Sequence, residues 1–480
     1  MSGSWRICPP YREIFILLAM KENDSETTYN LPVTSSKRNI LRSFLVWIRQ
    51  HVPIIIFGII FSVAAFIRIW AAEISSGPDV VQFWAFAKVF QTYGLDFYRY
   101  ADAQLAIFPD KGWGFVYPPI WLLILRVCLF FAPSSQVTYI AGNAIANPAW
   151  RLAMKIPIIA ADLAIGLLLY WGVPGSKRRK VFFASIWLLL PTAWFESGVF
   201  GQFDAIAAAF LLLCVILLIK GKDRLAFVAA GLAVMTKQDT LFAVAMIALV
   251  CARYMNMRRL ITDCAIVAGV VAAISIPFCV TGNFVAYARS IIFAGSAPGY
   301  QNPLCFSFNG ISALLTYLHN IFGWDTVALI SLLIPLLICA TVFTAILCVR
   351  RQITPLQGAL AGFLIFIGLY YRINYQYLIG YIPLAILLAS RTKYRSERAF
   401  ALALAIVPSL WLWLANTPWW FHDTKPGYSW VTPFFGHLGL LARYLPDWVY
   451  VTFAVALTCL SLVYVVLAFT KWPSRRIYPE

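Results

Sequence analysis

The stretch WFESGVFGQFDAIAAAFLLL, Trp194 to Leu213, sets two carboxylates, Glu196 and Asp204, between two apolar runs. The flanking runs, 181–197 and 204–220, have the composition of bilayer-crossing helices. Ionisable side chains at such depth are costly, so each is a functional candidate by default. Gly198 and Gly201 permit the tight turn that joins an outgoing helix to a returning one.

Outward from this hairpin the whole chain reads the same way. Of its 480 residues 61% are hydrophobic and only 12% charged, too few charges to cover a soluble protein of this length. The expected fold class is therefore an all-α polytopic membrane protein. The net charge of +18 does not point to nucleic acid. Lys and Arg collect in short loops beside apolar runs, as topology signals do. The ten cysteines contain no CxxC pair and set no disulfide framework. Residues 1–50 are mostly polar, no cleavable signal is evident, and the first long apolar run starts near Val52.

Thirteen apolar runs are candidate spans, from 52–72 to 449–470. Basic clusters at Lys37–Arg49, Lys177–Lys180, Lys220–Arg224, Arg253–Arg259, Arg350/Arg351, Arg391–Arg398 and Lys471–Arg476 separate them. If every cluster is cytoplasmic, an even number of crossings must lie between neighbours. Run 115–133, opened by Tyr117-Pro118-Pro119 and carrying Arg126, is then a boundary helix within a long external loop, 73–150. About twelve crossings follow, with both termini inside and further external loops at 282–325 and 417–447.

With this topology the unusual polar residues sort to the outer side. After Gly77-Pro78, Asp79 heads a helix whose Phe83, Phe86, Val89 and Phe90 form one apolar face, expected to lie flat on the membrane. Asp79 either caps that helix or is a base at the boundary, and the two are compatible. Asp204 either caps the following helix or helps to hold an anion or orient a base there. Lys237 in AVMTKQDTLFA snorkels or binds phosphate. Arg372 in GLYYRINYQYLIGYIPL either anchors an aromatic belt or clamps phosphate with its planar fork.

These residues, in this order, resemble the GT-C superfamily of membrane glycosyltransferases, which use polyprenyl-phosphate sugars. The resemblance rests on Asp79 soon after the first span, YGLDFY, the YPP of Tyr117–Pro119, KIPIIAADLAIGLLLYW followed by SKRRK, GVFGQFDA, and TKQ at Thr236–Gln238. It covers roughly residues 50–240, with a looser echo at NYQYLIGYIPL. The pattern is similar to bacterial mannosyltransferases with a WGQxD turn, to the first mannosyltransferase of GPI-anchor assembly and to the dolichol-pathway glucosyltransferases. Phe200 stands where the bacterial turn has Trp, Asp79 has no paired acid as in protein O-mannosyltransferases, and no WWDYG occurs.

The resemblance implies an inverting, metal-independent hexosyltransferase with no cofactor beyond its lipid-linked donor. Its acceptor is a glycan, a glycolipid or a protein. Asp79 would be the general base. Lys237, Arg372 and Arg289 would bind the donor phosphate, and Glu196, Gln202, Asp204, Gln238 and Tyr117 would hold sugar or orient the base. The implied organisation is a cytoplasmic segment over 1–50, a catalytic module over 51–255 and a variable transmembrane module over 256–480. The implied setting is a bacterial inner membrane in preference to the endoplasmic reticulum, with the site on the non-cytoplasmic side. Two rivals remain: a scaffold that only handles lipid-linked glycan, and a secondary transporter, for which Asp162 at membrane depth is the one fitting residue.

Overall fold

In a computed structural model the chain is nearly all-α. The structure describes residues 34–140, 143–292, 311–371, 373–415, 425–426 and 445–472. The chain divides into two units, Met1–Pro53 and Ile54–Glu480. The described part of the first is helical backbone from Thr34 onward. Helix α1 is Thr34–Ile74, followed by a two-residue strand β1, Ser75–Ser76, then α2, Pro78–Tyr93, and α3, Pro119–Phe131. Strands β2, Val137–Ile140, and β3, Asn143–Ala146, pair antiparallel ahead of α4, Pro148–Gly172. Then come α5, Lys177–Leu189, α6, Pro191–Trp194, α7, Asp204–Ile219, α8, Asp223–Thr236, and α9, Thr240–Ala252. The later helices are α10, Met257–Val280, α11, Phe284–Ile292, α12, Ile311–Phe322, α13, Val327–Ser331, α14, Leu333–Arg350, and α15, Pro355–Leu369. The last are α16, Leu378–Arg391, α17, Arg395–Ala415, and α18, Asp447–Thr470. Strand β4, Lys425–Pro426, pairs antiparallel with β1.

Local chemistry sets many of the helix starts. Asn147 and Ser176 cap α4 and α5 through Trp150 N and Arg179 N. Thr354 and Gln357 close a reciprocal capping box on α15. Proline occupies the first helical turn of α2, α3, α4, α6 and α15, where its missing N–H has no helical partner to lose.

Among the described residues five helical stretches are long and apolar enough to cross a membrane: His51–Ile74, Pro148–Gly172, Met257–Val280, Leu329–Arg350 and Asp447–Thr470. A sixth forms if Lys177–Leu189 and Pro191–Phe200, bent by 52° at Pro191, count as one. Helices α3, α7, α9, α12 and α15 are apolar but shorter. By length this gives five or six crossings against the expected count of about twelve. These long apolar helices are compatible with an integral multi-pass membrane protein. Helix α1 turns Ile55, Ile59, Phe66 and Ile69 outward, as a lipid-facing helix does. By contrast every residue of α15 is buried, so it needs no polar face.

Two expectations are corrected or sharpened by packing. The apolar face of α2 does not lie on a membrane: Phe83, Phe86, Val89 and Phe90 are all buried. Phe83 packs on Trp121 and Phe203, Phe86 on Phe97, Phe108 and Phe115, and Phe90 on Phe278. Aromatic residues of 97–121, with Phe203 and Phe278, supply the cover that lipid was expected to give. Helix α3 does expose apolar surface, at Leu123, Val127, Phe130 and Phe131. At 13 residues it rises about 20 Å, short of a bilayer core.

Candidate functional site

Three segments bring the acidic and basic candidates together. The first is the start of α2. Gly77 caps the helix and Pro78 opens it, so Asp79 lies in the first turn and is not the capping residue. Its carboxylate instead accepts a hydrogen bond from the Gln202 side-chain amide.

The second segment runs from Phe195 to Asp204. Glu196 O accepts from Gly201 N at 2.8 Å and Gln202 N at 3.0 Å, so the helix widens to an i→i+5 turn before it stops. Gly201 makes the stop with φ +82°, a conformation that L side chains avoid. Gly198, read as part of the turn, serves packing: a Cβ there would come 2.9 Å from Arg68 O. The widened turn delivers Glu196, Gln202 and Asp204 to one place, all buried. Phe203 takes the cap position of α7, and Asp204 does not cap it; its carboxylate pairs with Lys237.

The third segment is the α8–α9 hairpin. Lys237 Nζ donates to Asp204 and lies 3.9 Å from Asp239. Its ammonium sits 4.1 Å from the ring centroid of Tyr377 and 5.8 Å from that of Phe203. Gln238 Nε2 donates to Val116 O at 2.7 Å, which fastens the hairpin to the chain just before Tyr117. Tyr117 packs edge-on against Phe203, and its carbonyl accepts from Tyr98 Oη at 2.8 Å.

The electrostatics follow from burial. Withdrawal from water, then the nearby charge of Asp110, pushes the Asp79 carboxyl up to about 6, against the Gln202 hydrogen bond and Lys237. Asp239 is likewise pushed up to about 6 by burial, against the pull of Lys237. Burial alone would lower the Lys237 ammonium, but Asp204 and Asp239 outweigh it and hold it above the ordinary lysine value. Glu196 Oε2, Gln202 Oε1, Asp204 Oδ2, Gln238 Oε1 and Asp239 Oδ1 are buried without a hydrogen-bond partner among the described residues. Such a group of acceptors suits a ligand rich in hydroxyl groups, or ordered water.

Of the predicted residues, Asp79, Glu196, Gln202, Asp204, Lys237, Gln238 and Tyr117 are thus gathered. Arg289 stands exposed on α11, and no contact ties it to the group. Arg372 lies outside the described residues. Tyr377 and Phe203 are not among the residues that the sequence points to, and Asp239 is there only as one of the outer ionisable residues, with no role. Asp239 alone carried a signal, as an ionisable residue two positions from Lys237. Among the described residues no three His, Cys, Asp or Glu side chains are grouped so as to hold a metal ion.

Asp162, midway along α4, belongs to a separate buried network. It accepts from Arg68 Nε at 2.6 Å, Arg68 Nη2 at 3.2 Å and Ser197 Oγ at 2.5 Å. Arg68 also donates to Ala64 O and Leu188 O. The pair locks α1, α4 and the widened turn together. No protein-family model matches the chain, and no curated protein matches it either.

Proposed function

We propose that this chain is a membrane glycosyltransferase of the GT-C type, moving a hexose from a polyprenyl-phosphate donor to an acceptor hydroxyl on the non-cytoplasmic face. Mannose is the hexose that the sequence resemblance favours. The observation that carries the reading is the meeting of Asp79, Gln202, Asp204 and Lys237 from three distant segments, with unpartnered buried oxygens around them. A carboxyl titrating near 6 is ionised at neutral pH yet still basic enough to take a hydroxyl proton.

In this mechanism the acceptor oxygen attacks the anomeric carbon as Asp79 removes its proton. The bond from that carbon to the phosphate oxygen breaks on the opposite face, inverting the centre. The leaving lipid phosphate gains negative charge, which a nearby cation stabilises. Lys237 donates one of its three N–H groups to Asp204, and the remainder suit a phosphate oxygen. Arg372 is the second cation in this scheme. Gln202 aims the base, while Glu196, Asp204 and Gln238 offer acceptors to sugar hydroxyls.

The two ends of α4 support the assignment of sides. At its start, Trp150 Nε1 donates to Val80 O, one residue from Asp79. At its far end, about 37 Å away along 25 residues, Arg391 donates to Gly172 O and Arg179 to Ser390 O. Arginines gathered at one end and carboxylates at the other fit a cytoplasmic and a non-cytoplasmic face. About twelve crossings then require α7, α8, α9, α15, α16 and α17 to cross as well, the short ones among them as interior helices shielded by longer neighbours. The transporter reading loses its one residue, because Asp162 is committed to Arg68 and Ser197.

The test is direct. Purified protein in lipid nanodiscs is incubated with polyprenyl-phosphate mannose, glucose and galactose, and release or transfer of hexose is followed by mass spectrometry. Turnover of one donor is expected. Uptake of free sugar by proteoliposomes, with no donor consumed, would replace this reading with transport.

A further inference from the structure

Lys155 is fully buried on α4, seven residues before Asp162, and the mechanism above does not use it. Its Nζ donates to Ser75 O at 2.8 Å and Val199 O at 2.9 Å, and lies 3.2 Å from Ser75 Oγ. All three acceptors are neutral oxygens, so the side-chain nitrogen is held here by hydrogen bonds and not by an ion pair. Ser75 Oγ in turn reaches Val199 O at 3.1 Å and Ala71 O at 2.5 Å.

The positions of these acceptors in the chain matter more than their chemistry. Ser75 lies four residues before Asp79, and Val199 three residues before Gln202. One lysine nitrogen therefore ties the roots of the two segments whose tips meet in the Asp79–Gln202 hydrogen bond. The packing around it leaves little slack. A Cβ on Gly77 would lie 2.8 Å from Phe200 O, and one on Gly201 would lie 3.0 Å from Lys155 Cε. Trp150 Nε1, five residues earlier on α4, holds Val80 O at 2.7 Å on the other side of Asp79.

We propose that Lys155 is a positioning residue, which by gripping Ser75 and Val199 at once sets the approach of Asp79 to Gln202 and so the aim of the base. Its bearing on rate rests on the glycosyltransferase reading, whereas the clamp itself does not. A methionine at 155 fills a similar volume and loses all three bonds, so Ser75 O loses its lysine donor and Val199 O keeps only Ser75 Oγ. The two segments then part, and the Asp79 carboxyl loses its fixed partner.

The experiment compares wild type with Lys155→Met, Lys155→Gln and Ser75→Ala in nanodiscs. Two readouts are used: kcat and KM with polyprenyl-phosphate mannose, and hydrogen exchange of peptides spanning 74–82 and 195–204. For Lys155→Met the clamp predicts a fall in kcat of about 10²-fold with KM for the donor within about threefold. Faster exchange is expected in those two peptides and not in α15 or α16. Lys155→Gln, which keeps donors, should fall between Lys155→Met and wild type, and it decides the matter if Lys155→Met does not fold. Ser75→Ala, which keeps both carbonyl acceptors, should lose less than about tenfold. If wild type turns over no polyprenyl-phosphate sugar, the functional reading fails while exchange still tests the clamp. Wild-type exchange in both peptides of Lys155→Met, or of Lys155→Gln in its place, would overturn the clamp.

Discussion

Asp79 carries a carboxyl pushed up to about 6 from an ordinary value of 3.8, and the direction governs both rate and stability. As a base it works only when ionised. The turnover rate should therefore fall roughly tenfold per pH unit below about 6 and level off above it, as a pH–rate profile would show. Asp79→Asn, which keeps an acceptor for Gln202, should lose about 10²- to 10⁴-fold in turnover. Near-wild-type turnover would remove Asp79 from the base role. The stability effect runs the other way. The folded protein holds the proton more tightly than the unfolded chain, so wild type loses stability as pH rises from about 4 to about 6. Asp79→Asn should thus have the higher thermal midpoint at pH 7.5, with the gap closing below pH 4. Lys237 gives the contrasting case. Lys237→Met strands Asp204 and Asp239, so a loss of both donor affinity and thermal midpoint is expected. Adding Asp204→Asn to Lys237→Met should recover part of the midpoint and none of the affinity. A single-variant affinity equal to wild type would leave Lys237 a purely structural role.

The widened turn between α6 and α7 is the element on which the site depends, and it was half legible in the sequence. The glycines, the two acids and the apolar flanks of Trp194–Leu213 predict a tight hairpin carrying carboxylates, and Gly201 with its positive φ is that hairpin's stop. The i→i+5 bond of Gly201 N to Glu196 O left no local signature, and the turn packs against α1 and α4, which lie far away in the sequence. The same holds for α2. Its apolar face was evident, but whether lipid or protein covers it depended on aromatic residues far along the chain, from Phe97 and Trp121 to Phe203 and Phe278. Asp162 stood out as an acid at membrane depth, yet its partner Arg68 lies 94 residues away on another helix. Sequence alone could not pair them. Breaking that pair should be severe: Arg68→Leu leaves Asp162 buried with only Ser197, at an expected cost of about 3–5 kcal/mol. Arg68→Leu/Asp162→Leu should recover much of that loss. The thermal midpoints of both variants in one detergent check this. An Arg68→Leu midpoint within a degree or two of wild type would mean the pair is marginal.

At the scale of the molecule, composition and helix patterning sufficed for the class, and charge bookkeeping carried the finer topology. Helices long enough to cross number five or six among the described residues, so the remaining crossings rest on the basic clusters and on shorter helices such as α7 and α9. The length rule and the charge rule disagree there for a physical reason. An interior helix touches protein on most sides and need not match the bilayer's thickness, whereas α1 and α10, which expose apolar side chains along their length, must match it if they cross. Helix α4 decides between simple alternatives, since both rules make it one crossing and it joins the site to the arginine-rich end. Asp102, in the loop before α3, and Arg178, just beyond α4, are both exposed. In a cysteine-free background, Asp102→Cys should react with a membrane-impermeant maleimide from the non-cytoplasmic side of intact cells or spheroplasts. Arg178→Cys should react only after permeabilisation. If both label from the same side, α4 does not cross, and Asp79 and the basic clusters share one face of the membrane. The donor's phosphate would then have to meet the base among the very arginines that the topology assigns to the cytoplasm.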